Sequence, residues 1–248
     1  MTLFKILVGG HILTGSVGLV LFWVSVLSRK GGQVHRRWGM VFTYSMLITG
    51  CIAVGMGITT LIDPVATHHH FDWNVWKPEA VRAIFGWMML YLAILTISLA
   101  WHGLHAVRNK RDHAANRRPF DVGLQLLVMA AAINCAVRGF LADQPLMIGI
   151  SIVGLASGGT NLAFAFRAAP KKWDYMIEHM KALVGAGISV YTAFMTFGLV
   201  RLLPDHALNP MTWAIPLTIG LSIIFWHRYQ ISTWYKRGST RRVQIADA

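Results

Sequence analysis

The sequence predicts an all-α, polytopic transmembrane bundle of seven spans in a single domain, and three observations carry that expectation. Hydrophobic residues make up 55% of the 248 positions and charged residues 13%, whereas a soluble domain carries about 25% charged residues. Apolar runs of about 20 residues, the length that crosses a bilayer as a helix, recur along the chain. Lys and Arg gather in short blocks between alternate runs, as cytoplasmic loops do. The formal net charge of +13 is spread through those blocks. No soluble stretch is long enough to build the basic face that nucleic acid requires. Anionic lipid headgroups are the expected partners of the blocks.

The first span covers about 4–27, with His11, Thr14, Gly15, Gly18, Phe22 and Ser25 on one stripe; small residues there let a neighbour approach closely. Its apolar run is too long for a signal-peptide core, and Arg29-Lys30 follows it rather than preceding it, so it is expected to persist as a helix. A Gly-rich basic turn leads to span 2, about 38–62, which Asp63-Pro64 ends. The linker that follows is polar and aromatic; its Trp73 and Trp76 suit an interfacial belt. His68-His69-His70 in it reads as a solvated tract, with copper or zinc binding the alternative.

Span 3, about 81–107, organises the rest. Its apolar run ends in Trp101, His102 and His105, and then in Arg108, Lys110 and Arg111. Ser98, His102 and His105 stand at i, i+4 and i+7, hence on one helix face. Span 4, about 120–141, carries Gln125, Asn134 and Arg138. Arg138 is expected to snorkel to headgroups, or else to pair with Asp143. Span 5, about 145–166, holds Gly154 and Gly158 in GxxxG spacing. Span 6 covers about 177–203 and span 7 about 211–227, with a basic tail over 228–248. Cys51 and Cys135 fall inside apolar runs and read as small core residues rather than a redox pair. The basic blocks place the N-terminus outside and the C-terminus in the cytoplasm, which suits the inner membrane of a bacterium.

Topology sorts the eleven histidines. His35, His102, His105, His113, His179 and His227 fall at the cytoplasmic ends, while His11 stands alone within span 1. Ionisable side chains inside a membrane are costly and mark functional sites. A b-type haem takes axial ligands such as His from facing helices. His102 or His105 would supply one ligand and His35 or His179 the other, with His11 a further candidate. A hydrolytic metal site needs three ligands, for which His102, His105 and His179 with Glu178 and Asp121 are the candidates. The chain carries no HExxH, CxxCH or P-loop.

The segments HILTGSVGLV and LSRKGGQVHRRWGMVF, with HMKALVGAGISVYTAF later in the chain, resemble a group of uncharacterised bacterial predicted membrane proteins. That group has a histidine early in helix 1, a His-Arg pair with a Gly at the start of helix 2, and a later histidine-led helix. The matching residues here are His11, His35-Arg36 with Gly39, and His179. The resemblance implies the helical architecture and draws interest to those histidines; it implies no reaction. The leading expectation is a haem- or metal-binding electron-transfer subunit. The alternatives are a non-catalytic accessory subunit of a larger membrane complex or homo-oligomer, a metal-dependent membrane hydrolase, and a small-molecule transporter.

Overall fold

The computed structural model describes residues 2–198 and 209–246, with side chains from Leu3 to Trp234. The end of the sixth expected span, Arg201, the Pro204-Asp205-His206 turn and the tail's side chains beyond Trp234 lie outside the described residues. All the described elements are helical. They are α1 (Thr2–Leu27), α2 (Gln33–Ile62), the short α3 (Pro64–Thr67) and α4 (Pro78–Val81), a π-helical stretch (Arg82–Met88), and α5 (Met89–Arg108). A 3₁₀ turn (His113–Arg117) precedes α6 (Pro119–Leu141), α7 (Pro145–Ala165) and α8 (Asp174–Ala193); a second π-helical stretch (Phe194–Gly198) and α9 (Pro210–Ala246) complete the series.

Prolines start five of these helices. At the first helical position the missing N–H costs nothing, and the fixed φ suits the helix. Among the described residues six helices are long and apolar enough to cross a membrane. They begin at Leu3, Gln33, Pro78, Pro119, Pro145 and Asp174. The third, Pro78–Arg108, has 61% of its most apolar window buried, against 11% for Leu3–Leu27. It therefore forms the centre, packed on α2, α6 and α8, while α1 lies at the rim against α2 and α8.

Lipid removes the hydrophobic drive between helices, so close packing and interhelical hydrogen bonds hold the bundle. Ser45 and Thr49 of α2 donate to the Thr14 carbonyl and hydroxyl of α1, at 2.7 and 2.8 Å. The buried Tyr91 hydroxyl donates to the Ile150 carbonyl at 2.8 Å, fixing α5 to α7. At Gly158 a Cβ would meet the Gln125 carbonyl oxygen at 3.2 Å and the Met129 side chain at 2.6 Å, so only glycine lets α6 and α7 approach this closely.

Several sequence expectations are corrected. Helix α2 starts at Gln33 rather than near 38, which puts His35, Arg36 and Arg37 on its first turns. Helix α9 runs for 37 residues through Pro216 and beyond 227, so the helix continues into the expected tail. Its apolar half is not one of the six membrane-length apolar helices among the described residues. Among the described residues Arg138 forms no ion pair with Asp143; its guanidinium lies 5.3 Å over the Trp87 ring, a cation–π contact. Asp143 instead takes φ 51° in the tight α6–α7 turn. His68 is buried rather than solvated. Its ring packs against Phe4, Phe71 and Phe85 at centroid distances of 5.6, 5.2 and 4.9 Å.

Candidate functional site

Three basic turns meet at one end of the bundle. Arg117 donates to the Ala165 carbonyl at 2.8 Å, joining the α5–α6 connection to the end of α7. His35, just after the α1–α2 turn, faces His179 near the start of α8, with ring centroids 6.3 Å apart. The candidate residues at this end fall into two separate arrangements.

The first is His35 with His179. His35 Nδ1 lies 3.0 Å from the Ser25 carbonyl oxygen, and His179 Nδ1 lies 2.7 Å from that of Gly103. A carbonyl only accepts, so each Nδ1 carries a proton, and in the neutral form of such a ring the lone pair lies on Nε2. Backbone carbonyls that fix a tautomer in this way are the usual orienting partners of metal-bound imidazoles. The Ser25 carbonyl also accepts from Lys30 Nζ at 3.1 Å, so two basic groups converge on the frayed end of α1, where such carbonyls are unpaired. Gly103 makes the second anchor reachable. A Cβ there would lie 2.9 Å from Leu183 side-chain carbons and 3.2 Å from Ala182, so its absence lets α8 close on α5. Both rings are half-buried.

The second arrangement is His102 with Glu178. His102 Nε2 lies 3.3 Å from Glu178 Oε2, and Lys181 Nζ reaches the same oxygen at 2.5 Å. Both His102 and Glu178 are buried, so the carboxylate serves two donors within the protein. Ser98, His102 and His105 do share a face, as their spacing predicts. Ser98 donates to Gln125 Oε1 at 3.0 Å, and Asn161 Nδ2 donates to the same oxygen at 3.0 Å. His102, His105, Gln125 and Asn161 border a cavity of about 10 Å³, room for about one water. Asn161 Oδ1 is buried there without a partner in the protein.

The remaining candidates are dispersed. His105 donates from Nδ1 to the Trp101 carbonyl of its own helix at 3.0 Å and stacks on the Trp101 ring at 4.1 Å. Asp121 accepts from Trp101 Nε1 at 2.7 Å. His11 stands fourteen residues before Ser25 on α1, about 21 Å along the axis at ~1.5 Å per residue, and its buried Nδ1 is unpartnered. His11 therefore stands apart from the inner histidines. Among the described residues no three His, Cys, Asp or Glu side chains gather to hold a metal ion. The set His102, His105, His179, Glu178 and Asp121 is thus not one centre: Glu178 and Asp121 are held by other donors, and His105 by its own helix.

Two contributors escape a reading of side chains. The carbonyls of Ser25 and Gly103 leave no mark in a sequence, because every residue has one. Lys181, three residues after Glu178, was legible from its i, i+3 spacing. No protein family, characterised protein or solved structure matches this chain, so the likeness to the uncharacterised membrane group rests on the short motifs alone, and the site is read from its own geometry.

Proposed function

We propose that this chain is a seven-span protein of the bacterial cytoplasmic membrane, N-terminus outside and C-terminus inside, that binds a b-type haem between His35 and His179 and serves in electron transfer. Support for the seventh span comes from α9. Its Trp213 is buried against Phe197 at 6.0 Å, and Gly220 packs against Ile188 of α8. Ile215, Ile219 and Phe225 of the same helix face outward, as lipid contact requires. The basic turns at one end support the orientation.

The cofactor reading rests on one observation: two imidazoles from different helices stand edge to face, ring centroids 6.3 Å apart and planes at 73°, with both Nδ1 atoms held on carbonyls. Among the described residues no third ligand joins the pair. Zinc needs three or four protein ligands; haem brings its own four equatorial nitrogens and asks the protein only for axial ones. The donor set therefore fits haem better than a hydrolytic ion. When bound, haem supplies one-electron transfer. The chain's own part is to fix the tautomer of each ring through Ser25 and Gly103, and to set charge nearby through Lys30.

An absorption spectrum of the purified protein, expressed with haem precursor, tests the reading. A Soret band that is lost in both His35→Ala and His179→Ala is expected. A colourless, metal-free preparation, or a Soret band unchanged in both variants, would reject it.

A further inference from the structure

Away from the histidines, α5 and α6 diverge and leave a cleft of about 250 Å³ on the side of the bundle. Its walls include Leu90, Ile94, Leu127 and Ala131 together with Trp87 and Asn134; Arg138 lies just outside them, its guanidinium 5.3 Å over the Trp87 ring. Asn134 and Arg138 are one helical turn apart on α6, hence on the same face. Asn134 lies seven residues before the end of α6 at Leu141, about 10 Å deep at ~1.5 Å per residue. Arg138 lies one turn nearer that end, away from the basic turns.

Among the described residues neither the Asn134 amide nor the Arg138 guanidinium has a hydrogen-bond or ion-pair partner in the protein; the guanidinium lies over the Trp87 ring. An unpaired amide at this depth is costly, and a guanidinium presents five donors suited to acidic oxygens. The cleft falls below the ~300 Å³ of a typical enclosed small-molecule pocket and suits a length of hydrocarbon chain lying in an open groove. We infer that this cleft binds one anionic glycerophospholipid, its phosphate on Arg138, an ester carbonyl accepting from Asn134, and an acyl chain along the apolar walls. Charge complementarity at Arg138 selects the anionic headgroup. The one-turn offset between the two side chains orders phosphate above ester. This site is independent of the haem reading and lies in the leaflet opposite the basic turns.

The test is native mass spectrometry of the delipidated full chain, titrated with dioleoyl phosphatidylglycerol or dioleoyl phosphatidylcholine. Arg138→Gln should retain one anionic lipid fewer than the wild type, while Arg138→Lys keeps it. Asn134→Leu, an apolar substitution at a membrane-facing position, should weaken that lipid by about tenfold, the loss of one hydrogen bond. Lipids held at the basic end should be unaffected by all three variants. Thermal denaturation of each variant confirms that it is folded. Unchanged phosphatidylglycerol stoichiometry in folded Arg138→Gln would overturn the proposal. So would equal retention of the two lipids at this site, or displacement of the lipid by an equimolar short-chain quinone.

Discussion

Glu178 and His179 are adjacent on α8, yet they belong to opposite kinds of site. Glu178 closes a buried pair: its carboxylate meets His102 and Lys181, and both partners are supplied by the protein. His179 belongs to the other: its Nδ1 donates to the Gly103 carbonyl, and its ring stands edge to face with that of His35. Successive residues on a helix point about 100° apart, so one turn of α8 presents one face to the His102 pair and another to His35 at the same depth. Counting histidines near a membrane edge does not separate the two kinds. The hydrogen bond at the ring's other nitrogen does.

The largest expected effect would break the comparison outright. His35→Ala and His179→Ala should each abolish the Soret band, whereas His102→Ala should keep it and lose only stability. Spectra of the three purified variants decide this, and loss of the band in His102→Ala alone would reverse the assignment of the pairs. Glu178→Ala comes next. It removes the shared acceptor of His102 and Lys181, and should cost about 1.5–3 kcal/mol, the range for hydrogen bonds to charged groups. Denaturation in detergent measures it, and the haem signal of the folded fraction should persist.

The smallest effect sharpens the comparison with a histidine of neither kind. His68, at the other end of the bundle, is wrapped in Phe4, Phe71 and Phe85 rather than paired with an acid. Burial, followed by the nearby His70, holds its pKa down to about 4, against about 6.5 in an unfolded chain. Between these values the unfolded chain binds a proton that the folded protein refuses. The stability from neutral His68 is therefore fully present above about pH 6.5 and is lost as the pH falls toward 4. Thermal midpoints at pH 7.5 and pH 5 should differ in the wild type, and the difference should shrink in His68→Leu.

The residues explain which parts were legible in advance. Span positions followed from apolar run length, and prolines open the continuous helix Pro78–Arg108 as well as α6 and α7, so these three lie within a few residues of their expected limits. The start of α2 was read late because Val34-His35-Arg36-Arg37-Trp38 looks like a polar loop, although charged residues continue a helix readily at the interface. The length of α9 was hidden for the same reason. Gly103 offered only a weak clue: a small residue between two histidines signals close packing without naming the neighbour. His68 misled because a run of three histidines reads as polar, while three phenylalanines from separate parts of the chain enclose one of them.

Composition and periodicity alone determined that this chain is a bundle of membrane-length helices, that its basic turns share one end, and that histidines crowd there. Those properties depend on transfer between water and lipid and on spacing along one helix, which are local. Tertiary structure alone decided that His35 meets His179 while His102 meets Glu178, and that Asn134 lines a cleft beside which Arg138 lies over Trp87. Partner choice between helices depends on rotation about each axis and on how closely backbones approach. A glycine such as Gly103 sets both only once its neighbour is in place.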